Sequence, residues 1–436
     1  MTDLELIAAL DSLWCIPAPG PSNLLSTPAF VALVDLCEAR YGGGKARFAL
    51  SNALRSLGLP CMLPVGLSGQ ATLPRDAARA LNQAFERRTT VRRYMCPLDL
   101  ADALPSLNFG RARVGAFSAM ELERMFDASR LLRNFPGKPL ETTRLAQFQW
   151  LSVEEEVEVD SRPDARAVPG LFMDLSRDLG EIEPHLGRFP PAVEDALFFL
   201  LLAPWEKWST LPEVDWRGFR VPWICTVDDD LFVRPDPAPS ADSLTLEPWL
   251  VEDRSGQEIE LERPTKLPLD EAAEAGLLDF TDEAWRKLEA ARSTPLFETP
   301  IAHFIVRAFL ADGMDEVMAH MTAIEAALGL EMDHRKWLRP KADPHKKVSA
   351  TDRVAARMAA LLNKAASGQS YKDLFELRSS YVHGRAGLQK VSTPFRVRAR
   401  GLARDVASAL VDVAAQPVRP RADALNELLD RGLRFP

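Results

Sequence analysis

Residues 374–384 read LFELRSSYVHG, and this stretch decides how the C-terminal part of the chain is interpreted. Arg378 and His383 are five positions apart, which places them about 140° apart around an undistorted helix, so the two side chains do not share a face. Gly384 follows His383 directly, and glycine is favoured just after the last turn of a helix. We therefore expect the His383 imidazole to lie where the helix ends, from which it can turn back towards Arg378.

An arginine and a histidine at this spacing have a defined chemical use. An imidazole can move protons to and from a ribose 2′-hydroxyl, and a guanidinium can bind the phosphate and its developing charge. RNA supplies its own nucleophile, so this chemistry requires neither a metal nor a cofactor. The residues alone leave a structural alternative open, in which Arg378 pairs with Glu325 or Asp373 and His383 is a cap residue favourable to the helix dipole.

The segment Arg378-Ser-Ser-Tyr-Val-His383 resembles the R-x4–6-H signature of the HEPN superfamily, and the residues around it are similar to its ApeA-like branch. Proteins of that branch carry an upstream A-x-E-A-L-L-G type segment, matched here by residues 323–329 (AIEAALG). They then carry an R-V/I-A segment, matched by Arg353–Ala355, and an R-S-x-x-V-H-G segment, matched by residues 378–384. The resemblance covers about residues 298–415.

The resemblance implies a four- or five-helix bundle that pairs with a second copy, so that two motifs form one cleft that cuts RNA, tRNA among the candidates, without a metal. In such a site Arg378 holds the phosphate and His383 is the general acid/base, with Ser379, Tyr381 and Glu325 as substrate-binding or supporting residues. Members of the family are often toxins or abortive-infection effectors in bacterial defence against phage. The alternative is a non-catalytic HEPN module that binds RNA or dimerises within a regulatory protein.

The distribution of charge also sets the C-terminal third apart. The net charge of the chain is -9, but the residues from Pro300 onward include 22 Lys+Arg and 15 Asp+Glu, a net charge of +7, and the preceding residues carry -16. The C-terminal third is therefore the surface expected to meet an anionic partner, and the acidic N-terminal two-thirds is expected to sense a trigger or restrain the site. Arg396, Arg398 and Arg400 alternate, so on a helix they are expected to spread around the surface as a solvated face or a phosphate track.

Length and pattern predict a multidomain α+β chain, because 436 residues exceed one ordinary core. Residues 1–87 are predicted as an N-terminal helical region, and residues 88–297, with short β-rich segments between helical pieces, as a central α+β domain with a sensor or regulatory role. Residues 298–416 are predicted as an all-α HEPN-like bundle, and residues 417–436 as a tail helix. Most of the nine tryptophans lie in the central region, so a small-ligand sensor there is a third interpretation.

Capping patterns predict where two helices of the bundle begin. Ser349 is followed by Asp352, and Ser370 by Asp373, three residues later in both cases. This spacing is the capping-box pattern that marks a helix N-terminus. We therefore expect one helix to start at Ser349 and another at Ser370.

The sequence disfavours several other classes of protein. The longest apolar run, residues 196–204, is about half of what a membrane span requires, and the acidic N-terminus (MTDLELIAALDSLW) lacks the basic region of a signal or transit peptide. We therefore expect a cytoplasmic protein with no membrane partner. The five scattered cysteines contain no CxxC pair, no HxxxH or HExxH pair exists, and the run Asp228–Asp230 lacks the spacing of a calcium loop. Neither a metal nor a cofactor is expected.

Overall fold

The computed structural model describes residues 3–18, 20, 23–42, 44, 46–172, 189–252, 256–384, 391–415 and 419–435. The chain forms two compact units, each built from three separate stretches: unit 1 is Met1–Asp99, Gly115–Glu181 and Val221–Thr265, and unit 2 is Leu100–Val114, Ile182–Arg220 and Lys266–Pro436. The expected multidomain α+β class with a helical C-terminal region is confirmed. The boundaries of the four predicted regions do not coincide with these units and stay a prediction.

Helices provide most of the regular structure, and two sets of strands complete it. The helices are α1 (Asp3–Trp14), α2 (Pro28–Tyr41), α3 (Arg47–Ser56), α4 (Pro74–Glu86), α5 (Ala119–Met125), α6 (Ala128–Asn134), α7 (Thr142–Leu145), α8 (Pro163–Ala167), α9 (Pro191–Leu201), α10 (Trp205–Trp208), α11 (Ala272–Leu277), α12 (Asp282–Arg292), α13 (Ile301–Leu310), α14 (Gly313–Leu328), α15 (Glu331–His334), α16 (Ala350–Leu361), α17 (Ala365–Val382), α18 (Thr393–Ala414) and α19 (Arg421–Gly432). The strands are β1 (Thr89–Leu98), β2 (Leu107–Phe109), β3 (Ala112–Ala116), β4 (Gln149–Glu158), β5 (Cys225–Asp228), β6 (Leu246–Glu252) and β7 (Glu258–Pro264). None of the described helices is long and apolar enough to cross a bilayer.

Unit 1 opens with four helices and continues into an antiparallel sheet. Leucines and alanines of α1 to α4 bury one face each and form a shared core. Strand β1 lies between β4 and β5 and pairs antiparallel with both, with Met95 opposite Ser152 on one side and Cys225 on the other. Apolar residues of the sheet pack with α5 to α7 around the fully buried Trp150. The hairpin of β6 and β7 exposes most of its residues, including Trp249.

The acidic run Asp228–Asp230 has a structural role in unit 1. Asp230 is buried and accepts two hydrogen bonds of 2.6 Å from the guanidinium of Arg166, which is also buried. Asp228 accepts from Arg92 Nε at 2.9 Å. Because arginines occupy these carboxylates, the run serves to hold the strands, and the described residues contain no group of three or more potential metal ligands.

The cysteines of the chain are free thiols. Cys37, Cys61, Cys96 and Cys225 are buried and Cys15 is exposed. Burial raises the pKa of the Cys37 thiol, and that of Cys225, to about 12. A protonated, buried thiol is a poor nucleophile, so these four side chains act as packing residues.

Unit 2 is helical apart from the hairpin of β2 with the start of β3. Helix α14 packs against α13, α17 and α18, and α16 packs against α17 and α19. Buried aromatic side chains fill the remainder of the core, with Trp205 in edge contact with Trp208 and with Phe219. Five of the seven tryptophans in residues 88–297 (Trp150, Trp205, Trp208, Trp216 and Trp285) are buried, so they contribute to cores rather than to an open site.

A buried arginine on α16 joins three other elements of unit 2. Arg357 is 0% exposed and donates to Leu328 O at the end of α14 at 2.8 Å and to Leu425 O of α19 at 3.1 Å. It also forms a bidentate ion pair with the buried Asp333 of α15. Asp333 in turn accepts from the backbone N–H of Leu330 at 2.9 Å. One guanidinium therefore fixes the positions of four helices.

The prediction for the alternating arginines was wrong. Arg400 and Arg404 are 4% exposed each and share the buried carboxylate of Glu206. Arg396 lies with its guanidinium 4.3 Å from the centre of the Trp216 ring, so it too faces the interior. The buried face of α18 follows the i, i+4, i+8 spacing of these three arginines, and Arg398 alone of the predicted run is exposed. Helical periodicity, not sequence adjacency, determines which arginines are buried.

The same buried region contains Glu316 and His320 of α14. Glu316 accepts from Trp216 Nε1 at 3.2 Å, and His320 Nε2 lies 3.8 Å from the Glu316 carboxylate. Burial lowers the pKa of His320, which favours a neutral imidazole. His320 is therefore a packing residue.

One of the two predicted helix starts is observed. Ser349 is the N-cap of α16 and accepts from Asp352 N at 3.1 Å. The start at Ser370 was wrong, because α17 already begins at Ala365. The chain reverses at Asn363, whose φ of 48° ends α16, and the alanines that follow favour immediate helix formation. Residues 417 and 418, where the tail was predicted to begin, lie outside the described residues, and the tail helix itself is α19.

Helix α19 approaches α16 so closely that only glycine fits at one contact. A Cβ atom on Gly432 would lie 1.9 Å from the backbone oxygen of Ala356, which is far inside van der Waals distance. A Cβ on Gly401 of α18 would meet nothing closer than Glu206 Oε1 at 3.6 Å, an ordinary contact. The two glycines therefore form a matched pair for substitution.

We predict that Gly432→Ala lowers the free energy of unfolding by about 1–3 kcal/mol, because the helices must separate to admit the methyl group. Gly401→Ala should raise it by about 0.5–1 kcal/mol, because alanine is the better helix former. Urea unfolding followed by circular dichroism measures both. Equal effects of the two substitutions would contradict the close packing of α19 on α16.

Candidate functional site

The buried residues of α17 all lie before Phe375. Tyr371 and Leu374 are in the core, whereas none of the residues from Phe375 to Val382 is buried. Val382 is 55% exposed, although it is aliphatic. Arg378 and His383 therefore lie on a part of the helix that is open to a ligand or to another protein.

Arg378 is held by the predicted partner Glu325 of α14. The Arg378 Nη1 atom donates to Glu325 Oε1 at 2.6 Å, and the side chains are 29% and 24% exposed. The Tyr371 hydroxyl donates to the same oxygen at 3.5 Å, and burial together with the Glu325 charge raises the pKa of Tyr371. Asp373, the other predicted partner, instead accepts from Gln369 at 2.8 Å. Within the described residues no hydrogen bond occupies Nε or Nη2 of Arg378, so these donors can bind an anion.

His383 lies where the sequence places it, at the end of the helix. Its backbone N–H donates to Ser379 O at 3.0 Å, and Gly384 N donates to Tyr381 O at 3.2 Å. Gly384 has a φ of +64°, the left-handed conformation that ends the helix at low cost for glycine. The His383 side chain is exposed, and its ring makes no hydrogen bond to any described residue.

The other predicted supporting residues, Ser379 and Tyr381, take part in the hydrogen bonds at the end of α17 through their backbone carbonyl groups. Ser379 and Tyr381 are half-buried, and their carbonyl groups accept the two hydrogen bonds that close the helix. Tyr381 is therefore not a core residue.

Arg378 and His383 are five positions apart on a regular helix. Their Cα atoms are therefore about 7.5 Å apart along the helix axis, and their side chains leave it in different directions.

A cavity of about 540 Å³ adjoins the Arg378–Glu325 pair. Glu325 forms part of its wall, together with Glu298 and Glu331, so carboxylates of three residues face or flank this space. His334 and Leu338 line another part of the wall. No sequence pattern marks Glu298 as a neighbour of residues 331–338, because only the fold brings these segments together.

Arg353, part of a segment on which the family resemblance depends, has a structural position. It is 1% exposed and donates to Asp343 at 2.6 Å and to His345 O at 2.7 Å. The matched segment at residues 353–355 therefore supports the helices, and of the matched segments only those with Glu325 and Arg378 contribute side chains to the candidate site. The assignment of Arg378 and His383 as catalytic residues stays a prediction.

We predict that removing the charge of the candidate site costs little stability. Glu325→Gln should lower the free energy of unfolding by about 1 kcal/mol or less, because the pair is partly solvated. Asp333→Asn should cost about 3–5 kcal/mol, because it leaves the buried Arg357 without its counter-charge. Chemical denaturation of both variants measures the contrast. A large loss in Glu325→Gln would make that residue a part of the core rather than of a site.

The comparisons with known proteins add no relative. No protein-family model matches the chain, and neither a curated protein nor a solved structure matches it. The family resemblance therefore rests on the residues of this chain alone.

Proposed function

We propose that the chain is a metal-independent ribonuclease of the HEPN type, with Arg378 and His383 as its catalytic residues. The observation that carries the proposal is the Arg378–Glu325 ion pair on a poorly buried helix end that also presents an exposed histidine. A purely structural ion pair and cap would not require this half of α17 to be open. The proposed substrate is RNA, and tRNA is one candidate.

Each group at the site has a distinct role in the proposed reaction. Glu325 orients the guanidinium of Arg378 through one nitrogen and leaves Nε and Nη2 to hold the scissile phosphate. His383 accepts the proton of the ribose 2′-hydroxyl or donates one to the leaving oxygen.

A second copy of the chain completes the site in this proposal. Arg378 and His383 of one copy diverge around the helix, so one phosphate is reached more easily by groups from two helix ends than by both groups of one. The exposed Val382 and the half-buried Phe375 and Tyr381 supply apolar surface at this end of α17. The homodimer would bury that surface and bring two motifs together.

We predict that the full-length protein cleaves RNA in the presence of EDTA and leaves 2′,3′-cyclic phosphate ends. His383→Ala and Arg378→Ala should each lower the rate by about 10²–10⁴-fold, because general acid/base catalysis and charge stabilisation are lost. Gel analysis of tRNA and total RNA, followed by end-group analysis of the fragments, measures the effect.

Matched variants control for a general effect of losing a histidine or an arginine. His303→Ala removes a histidine whose ring lies 3.5 Å from the Glu194 carboxylate, and Arg286→Ala removes an exposed arginine on α12. Both should cleave at the wild-type rate. Equal activity of His383→Ala and wild type, or no cleavage by any form, would favour the alternative of a non-catalytic RNA-binding or dimerisation module.

We further predict that Val382→Glu weakens self-association and cleavage together. The carboxylate would be placed in the apolar contact between two copies, where its burial is unfavourable. Leu278→Glu is the control, because Leu278 is 58% exposed and lies at the end of α11. Sedimentation velocity over a range of protein concentrations measures the dimer. A wild-type protein that stays monomeric would contradict the two-copy site.

The cellular role that follows from this proposal is an effector of anti-phage defence or a toxin. RNA cleavage without a cofactor has to be restrained in the cell, and the N-terminal two-thirds of the chain is the proposed sensor of an unidentified trigger. The charge difference between the two parts of the sequence, -16 and +7, supports a restraint based on electrostatic attraction.

A further inference from the structure

An exposed tryptophan lies in the most basic loop of unit 2. Residues 335–347 read RKWLRPKADPHKK and contain six Lys or Arg residues but only one acid, Asp343. Trp337 is 77% exposed, a larger exposed fraction than that of any other described tryptophan, and Leu338 beside it is 44% exposed. An indole left in water within a basic segment is a pattern found where proteins bind nucleic acid strands.

The segment is held in place by its own internal contacts. Arg339 donates to three backbone carbonyls, those of Met332, Asp333 and Lys346, at 2.9, 2.7 and 3.0 Å. Asp343 is anchored by the buried Arg353 at 2.6 Å. Because the backbone is fixed from both sides, Trp337 is presented to solvent on a built platform.

The lysines of the segment are available to a ligand. Lys336, Lys341, Lys346 and Lys347 are exposed, and none of their ammonium groups has an ion pair or hydrogen bond within the described residues. Arg335 pairs with Glu331, and its guanidinium lies 5.9 Å from the Trp337 ring centre. Four free positive charges in the same short segment as one exposed ring fit a polyanion that also has aromatic surfaces.

The platform adjoins the candidate site through the 540 Å³ cavity. His334 and Leu338, on either side of Trp337, line this cavity, and Glu325 lines it as well. Its carboxylates repel phosphates but accept hydrogen bonds from the amino groups of bases. A bound strand would therefore place its phosphates along the lysines and its bases towards Trp337 and the cavity.

We propose that residues 335–347 form the strand-binding surface for single-stranded RNA, in which Trp337 stacks on a base and the neighbouring lysines contact phosphates. The choice of RNA as the ligand rests on the proposed function. The description of the surface itself rests only on the exposed Trp337 and the unpaired lysines. A duplex cannot use this surface in the same way, because its bases are already stacked on each other and their faces are closed to an indole.

The test is binding of a fluorescein-labelled 12-nucleotide oligouridine and of a 12-base-pair RNA duplex to the full-length protein, measured by fluorescence anisotropy. All variants carry His383→Ala so that the RNA stays intact. Trp337→Ala should weaken binding of the single strand by about tenfold, and Trp337→Phe should retain most of the affinity. The double variant Lys341→Ala/Lys346→Ala should reduce the slope of log affinity against log salt by about 1.4.

Trp249→Ala is the control, because Trp249 is a 46% exposed tryptophan in unit 1. The surface is refuted if the His383→Ala protein does not bind oligouridine, if the added Trp337→Ala leaves that binding unchanged, or if duplex binding falls in parallel. The outcome is separable from the nuclease. If Trp337→Ala weakens binding and wild type does not cleave RNA, the strand-binding surface is supported and the nuclease is rejected. If wild type cleaves RNA and Trp337→Ala leaves binding unchanged, the nuclease is supported and the surface is rejected.

Discussion

The buried pair of Arg357 and Asp333 is the interaction on which the C-terminal part of unit 2 depends. It ties α16 to the end of α14, to α15 and to α19, so it fixes both the turn that carries Glu325 and the loop that carries Trp337. Such a pair adds little net stability over an apolar core of the same shape, but loss of one partner leaves an unpaired charge in the interior. Its value lies in specifying one arrangement of four helices.

The local features of the candidate site could be predicted from sequence. Gly384 marks the helix end because glycine tolerates the positive φ found there, and Glu325 was one of the two expected partners of Arg378. Ser349 was likewise recognised as a cap. These predictions succeed because a helix end and its first turn depend on a few neighbouring residues.

The features that sequence analysis missed depend on contacts between residues that are far apart in the chain, or on where the preceding helix ends. Arg400 and Arg404 pair with Glu206, almost two hundred positions away, and no local pattern announces such a partner. Ser370 has the pattern of a cap but lies inside α17, because the chain had already started the helix at Ala365. The cavity beside Glu325 is formed by residues from three separate stretches of the chain, so it too required the fold.

The first residue of α19 gives the tail helix an influence on Glu325 that does not pass through α17. Arg421 donates to the carbonyl groups of Ala326, Ala327 and Gly329, which belong to the turn directly after Glu325. A displacement of α19 therefore pulls on that turn and changes where the counter-charge of Arg378 stands. A protein that binds α19 and shifts it would therefore change the position of Arg378 without contacting RNA.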